Sequence, residues 1–327
     1  MPPRPALAPL RFRKTDHNLD HKDRYSRIDP YLEKDRSYDI LNIHYIWFGK
    51  AIPQQYMYNI FECYYNTIKY LNTKSVKLHI WTDSTSQQRI SLYCHDKFKL
   101  DSATSCLIIN FHNKDEIFEQ LDRIKPTLTR DIKHFIDKLE HSAKPNYGAI
   151  SDICRMVILS MSFTKKIEAN LYIDTDERFC HQSSYVKGIM ESLPKYGMVF
   201  PSTWKGGGVF NINNSIIFCN PKNKLTEMII SVYLEEVSDS ELQHHLTSPK
   251  ARMNVEDKIH YTVALTGPYQ INKILAKMIY GSDSRINVSD ADIKPFVTYS
   301  TYMLDGNTGI SEGTFARQKG VARYLNE

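Results

Sequence analysis

The 327 residues are 42% hydrophobic and 24% charged, with a net charge of +5 from 42 basic and 37 acidic side chains. That hydrophobic share excludes a disordered chain, and the length is ample for a core in one large domain or two small ones. The charge is too mild and too dispersed to imply nucleic acid, and no apolar run is long enough to span a bilayer.

Residues 1–38 read as a flexible tail. Pro2, Pro3, Pro5 and Pro9 lead into a charged, nearly periodless run through Arg11, Arg13, Lys14, Asp16, Lys22, Asp23 and Arg24. The plainer reading of this basic tail is a solvated tail, with contact to a partner or a membrane surface as the other. The start of the chain lacks the apolar core of a signal peptide, so the expectation is a soluble protein whose export would need another route. The six cysteines, Cys63, Cys94, Cys106, Cys154, Cys180 and Cys219, form no Cys-x-x-Cys pair and none stands at zinc spacing from a histidine pair. They read as free thiols of a chain folded in reducing conditions.

The remainder, 39–327, reads as one domain. Ile43–Phe48 is a buried strand ended by Gly49 and Pro53. Met57, Ile60, Phe61, Tyr64, Ile68 and Leu71 recur at steps of three and four, which predicts an amphipathic helix. Val76–Trp81 is a second strand, left by Thr82-Asp83-Ser84. Strand, helix, strand at this spacing predicts a parallel βαβ unit. Ser105–Ile109 adds a third strand. A helical insertion at about 112–147 follows, with one apolar patch at Ile117, Phe118, Leu121 and Ile124 and another at Leu128, Ile132, Phe135, Ile136 and Leu139. Its plainer reading is a structural hairpin, with substrate docking as the other.

Ser151 or Asp152 is placed to cap the next helix, which carries Ile153, Met156, Val157 and Leu159. Asp152 and Arg155 are three apart and share a helical face. Near a helix N-terminus, the dipole and a guanidinium together favour an anion. A surface Asp–Arg pair, worth roughly 0–1 kcal/mol, is the alternative.

About fifteen residues on, Leu171-Tyr172-Ile173 reads as a short buried strand that ends in Asp174-Thr175-Asp176. In an extended segment residues i and i+2 project to one side, so the two carboxylates are expected to converge at the strand's C-terminal end. Open α/β sheets bind ligands at that end. Paired hard oxygens suit Mg²⁺ or Mn²⁺, and such an ion suits a diphosphate. The second such pair, Asp290-Ala-Asp292, has no strand before it and reads as a loop or helix cap. Further on, Met198–Phe200 reads as a strand, Trp204–Gly208 as a flexible loop and Phe210–Phe218 as strand-like. Residues 222–235 and 241–265 look helical, Thr266-Gly267-Pro268 breaks the pattern, and 305–313 is a loop rich in Gly and oxygen ligands.

Four segments in this order resemble the metal-dependent GT-A glycosyltransferases with an Asp-x-Asp motif, above all the glucosylating group typified by the catalytic domains of large clostridial toxins and some bacterial effectors. They are His44–Gly49 with Ile52-Pro53, Ser151–Arg155, Leu171–Asp176 and Thr266–Pro268; Asn213-Asn214 before an apolar strand is a weaker fifth. The resemblance implies an α/β fold of GT-A type, a Rossmann-like nucleotide-sugar-binding sheet with helical insertions. It implies transfer of a hexose, glucose or N-acetylglucosamine, from a UDP-sugar to a hydroxyl with retention, using Mn²⁺ or Mg²⁺.

By the same resemblance, Trp47 stacks on the uracil and Asp83 lies near the uridine. Ser151 is a further substrate-binding residue. Asp152 and Arg155 hold that sugar, and Arg155 can also reach a phosphate oxygen. Asp174 contacts ribose or sugar hydroxyls, Asp176 is the main metal ligand with Asp174 beside it, and Asn214 bonds the sugar. The related toxins close the site with a C-terminal serine and, two residues on, a tryptophan. This chain's tryptophans are Trp47, Trp81 and Trp204, so that position has none. Asn307 or Ser311 can complete the metal shell and Phe315 can help cover the site. The acceptor implied is a host protein, with the chain acting as an effector delivered to the host cytosol. A capsule, lipopolysaccharide or glycolipid acceptor, and a nucleotide-sugar-binding adaptor without turnover, are the alternatives.

Overall fold

The computed structural model describes residues 38–71, 75–98, 109–143, 145–177, 197–200, 202–205, 209–212, 214–239, 243 and 262–280. The tail through residue 37, Asp290-Ala-Asp292, Asn307, Ser311 and Phe315 lie outside the described residues.

In the first half of the chain β1 (Ile40–Trp47), α1 (Gln54–Leu71), β2 (Val76–Thr82), α2 (Ser84–Phe98) and β3 (Ile109–His112) alternate. Three helices follow, α3 (Lys114–Ile124), α4 (Pro126–Glu140) and α5 (Tyr147–Leu159), and then β4 (Glu168–Ile173). The second half holds β5 (Met198–Val199), β6 (Ser202–Lys205), β7 (Val209–Ile212), β8 (Ile216–Cys219), α6 (Lys224–Val237) and α7 (Pro268–Tyr280). Six strands form one mixed sheet in the order β3-β2-β1-β4-β8-β5. The first four are parallel, and β8 runs antiparallel to β4 and β5. The 3-2-1-4 order of the parallel half is Rossmann-like, and the sheet with its helices agrees with the GT-A class the motifs imply.

Alternation along the strands splits the core into two layers. Leu41, Ile43 and Tyr45 of β1 and Ala169, Leu171 and Ile173 of β4 pack with α1 and α2. On the other face Ile46, Trp81, Tyr172 and Ile217 pack with α3 to α7. That face also carries a buried polar seam. Asn42 Nδ2 donates to Asn170 Oδ1 and Glu168 Oε2, both at 3.1 Å, and Asn42 Oδ1 meets His79 Nε2 at 3.2 Å. Asn170 Nδ2 donates in turn to the carbonyls of Leu159 and Met161, at 3.1 and 2.8 Å, and so ties the end of α5 to β4.

The insertion is a pair of helices. Asn113 and Glu116 form a capping box at the start of α3, and Pro126 opens α4. Of the strand expected at Ser105–Ile109, Ile109 is described, and it opens a strand that runs on to His112. Other expectations need correction. α2 was not among the predicted elements: its buried apolar residues are Ile90, Tyr93 and Cys94, too few for a clear period. The α5 cap is not Ser151 or Asp152. Asn146 caps the helix, accepting from Ala149 N–H at 3.1 Å, so both expected caps lie inside it. Trp204 and Lys205 end a strand rather than forming a loop, since β6 pairs with β7 in a hairpin apart from the main sheet. The predicted strand Phe210–Phe218 is two strands: the chain leaves β7 after Ile212 and enters the main sheet only at Ile216.

Candidate active site

The candidate site lies at the C-terminal ends of β1, β2 and β4, where α5 crosses the sheet. Tyr172 and Asp174 are two apart, so both fall on the α5 side. The Tyr172 hydroxyl donates to Asp174 Oδ1 at 2.6 Å, and its ring lies under the Arg155 guanidinium at 4.4 Å. Arg155 is buried at 4% exposure, which removes the reading of a surface pair. Its Nη2 meets Asp152 Oδ1 at 3.1 Å and Asp174 Oδ1 at 3.2 Å. Nη2 also reaches Ser151 Oγ at 3.2 Å, and Nη1 donates to the Asn214 carbonyl at 2.5 Å. One planar fork therefore ties α5, the end of β4 and the start of β8 together.

Asp152 is buried too, with both oxygens engaged. Asn214 Nδ2 donates to Oδ1 at 2.9 Å and Thr266 Oγ1 to Oδ2 at 3.0 Å. Reaching Asp152 is what takes Asn214 out of the strand expected there. Gly267 keeps this side tight: a Cβ would stand 2.9 Å from Val263 Cα and 3.3 Å from Asp152 Oδ2. Burial pushes the Asp152 carboxyl up to about 6, against the pull of Arg155 and its hydrogen bonds. Burial also works against the Arg155 charge, but Asp174, Tyr172 and Asp152 outweigh it and hold the guanidinium protonated.

Asp174 leaves the sheet with its N–H on the Ser215 carbonyl at 2.7 Å. The chain then turns: Glu177 N–H donates to the Asp174 carbonyl at 3.0 Å, with Thr175 and Asp176 in the central positions. Asp174 and Asp176 thus do not share one side of an extended strand, as the spacing suggested; a turn presents them. Asp176 is half-buried on that turn.

A second cluster sits at the ends of β1 and β2. Trp47 is half-buried, donates Nε1–H to the Lys50 carbonyl at 2.6 Å and stacks on Tyr56 of α1 at 5.3 Å between ring centres. Asp83 accepts from Ser86 N–H at 2.8 Å through Oδ1, while its buried Oδ2 has no hydrogen-bond partner among the described residues. A buried carboxylate oxygen left in this way suits a donor from a ligand.

Among the described residues, no three acidic, histidine or cysteine side chains gather as a ready cation cage. The donor set still fits Mg²⁺ or Mn²⁺, which commonly takes one or two carboxylates, with phosphate oxygens and water filling the rest. Asp174 Oδ1 bonds Tyr172 and Arg155, so Asp174 would stand beside such an ion as an oriented neighbour, and Asp176 on the turn could ligate it directly. The structure thus brings Ser151, Asp152, Arg155, Asp174 and Asn214 into one bonded group, with Asp176 on the adjoining turn. Trp47 and Asp83 form the neighbouring group. Tyr172 and Thr266, which bond the aspartates directly, had no role assigned from sequence. The signal for Tyr172 was its i, i+2 relation to Asp174; Thr266 stood in the Thr266–Pro268 segment, but nothing local pointed to its bond with Asp152.

Among solved structures, the chain is similar to glycosyltransferase domains of toxins. The PaToxG glycosyltransferase is 16% identical with a TM-score of 0.46, over 88% of this chain and 90% of that one. The UDP-bound glycosyltransferase domain of the YGT toxin is 11% identical with a TM-score of 0.47, over 84% of this chain and 83% of that one. The catalytic domain of alpha-toxin from Clostridium novyi is 10% identical with a TM-score of 0.43, over 91% of this chain and 81% of that one. Among curated proteins, the chain is 24% identical over 276 residues to Subversion of eukaryotic traffic protein A of Legionella pneumophila. That match takes in 81% of this chain, which spans about a third (35%) of the relative's length. No protein-family model matches.

Proposed function

We propose that the chain is a glycosyltransferase that moves a hexose, glucose or N-acetylglucosamine, from a UDP-sugar to a hydroxyl of a host protein, with retention. The observation that carries this reading is the buried Asp152–Arg155–Asp174–Asn214 group at the sheet's C-terminal edge, beside a turn that presents Asp176. Such an edge is where α/β sheets take nucleotides. In this reading Trp47 stacks on the uracil and Asp83 Oδ2 accepts from the nucleoside. Asp152, held by Thr266, and Asn214, which bonds Asp152, face the sugar hydroxyls. Arg155 keeps the two aspartates charged and aimed, so their positions are set before the donor arrives. Asp176, with Asp174 beside it, would hold Mn²⁺ or Mg²⁺. When bound, that ion neutralises the departing diphosphate, and no separate general acid is then needed. The acceptor hydroxyl oxygen bonds to the sugar's C1 as the bond from C1 to the diphosphate oxygen breaks, and the hydroxyl proton passes to that departing oxygen.

The toxin-like motifs, and a relative whose name refers to the subversion of eukaryotic traffic, support a host-directed effector. The test is incubation with labelled UDP-sugars and eukaryotic lysate. A discrete labelled protein band is expected. Label confined to lipid or polysaccharide would contradict the protein acceptor.

A further inference from the structure

The turn that presents Asp176 has a weak point, and a side chain from another element sits on it. In a four-residue turn the two outer residues are joined by a backbone hydrogen bond, here Glu177 N–H to the Asp174 carbonyl. The central peptide, between Thr175 and Asp176, is not fixed by that bond. Its flip is what separates the type I turn from type II, of which the second needs φ > 0 at the third residue. Here the third residue is Asp176, so a flip would redirect its side chain while the turn stayed closed.

The carbonyl of that peptide belongs to Thr175, and Asn59 Nδ2 of α1 donates to it at 3.0 Å. Asn59 is 2% exposed and Thr175 8%. A carbonyl cannot donate, so the Asn59 amide must present its NH₂ there. Losing the bond would leave a buried carbonyl unpaired, which costs about 1–3 kcal/mol. That cost opposes any peptide orientation that turns the Thr175 carbonyl away from α1. The same helix carries Tyr56 three residues earlier, stacked on Trp47. Residues three apart are neighbours on a helix face, so α1 touches both the aromatic end of the site and the acidic turn.

We propose that Asn59 is a positioning residue: it locks the Thr175–Asp176 peptide and thereby aims Asp176 at a divalent cation bound together with a nucleoside diphosphate. This rests on the donor-site reading above. A structural role alone would lower stability and weaken all binding equally. A positioning role predicts a selective loss, confined to the part of nucleotide affinity that the cation supplies.

The experiment is calorimetry of UDP binding to the full chain, in excess Mn²⁺ and again in EDTA, for wild type, Asn59→Ala and Asn59→Ser. Melting temperatures are recorded alongside. The wild type is expected to bind UDP more tightly with Mn²⁺. Both variants are expected to match it in EDTA and to lose about tenfold or more of the Mn²⁺-dependent gain, as loss of an orienting partner does at metal sites. If alanine prevents folding, the smaller polar change to serine decides by the same ratio. An unchanged gain, or an equal loss with and without Mn²⁺, would overturn the role of Asn59 and leave the donor site standing. A wild type with no Mn²⁺-dependent gain would overturn the metal reading, and this inference with it.

Discussion

Arg155 is the residue on which the site's electrostatics turn. It lies between two carboxylates, and its fork is directed inward at protein atoms. Removing one partner of a buried ion pair leaves uncompensated charge and costs about 3–5 kcal/mol. Arg155→Ala is therefore expected to lose stability on that scale in urea unfolding. Asp176→Ala, on a half-buried turn and stranding no buried guanidinium, is expected to cost less than Arg155→Ala. Equal stability of the two variants would contradict the inward role of Arg155.

Asp152 adds a pH signature. Its folded carboxyl is raised from 3.8 to about 6 by burial. A carboxyl raised on folding adds stability that is fully present below about pH 4 and is lost as pH rises through about 6. The ionised form is the one that accepts from Asn214, Thr266 and Arg155 in the donor-ready geometry. UDP-sugar turnover should therefore fall as pH drops through about 6, with no loss of folded protein from this group. A pH–rate profile beside melts at the same pH values separates this from acid unfolding; activity flat down to pH 5 would contradict it.

The aspartates were legible because an apolar strand ends in them. The inward turn of Arg155 was not, because it depends on Asn214, 59 positions away in the chain.

At the scale of elements, the site is a meeting of α5 with the ends of β1, β4 and β8. Gly49 controls one of these contacts. It sits just past β1 with φ +96°, and a Cβ there would collide with the ring of Tyr147, the first residue of α5. Gly49→Ala combines a left-handed backbone, costing roughly 1–2 kcal/mol, with that collision. It is expected to lower the melting temperature and to weaken UDP binding together, because the end of β1 and the start of α5 must both shift. A variant with wild-type melting and binding would show that this contact is not tight.

Strong periods made β1, α1, β2, α3 and α4 readable from sequence. α2 escaped because few of its apolar residues are buried. The β7–β8 break escaped because Asn214 follows a long-range demand from Asp152 rather than any local preference.

At the scale of the whole molecule, a parallel Rossmann-like half joined to the antiparallel β8 and β5 gathers residues from 47 to 266 at one sheet edge. The order of the motifs was visible in sequence, and the sheet explains that order: β1, α5, β4, β8 and the start of α7 each bring one part of the site. No described helix is long and apolar enough to cross a membrane.

The most direct test of the proposed function is release of UDP from a panel of UDP-sugars, in Mn²⁺ and in EDTA, by wild type and Asp176→Ala. One sugar is expected to be hydrolysed, with turnover lost in EDTA and in the variant while the variant stays folded at the assay temperature. Turnover that survives EDTA, or normal turnover in Asp176→Ala, would contradict the assignment of the β4 turn as the metal and donor site.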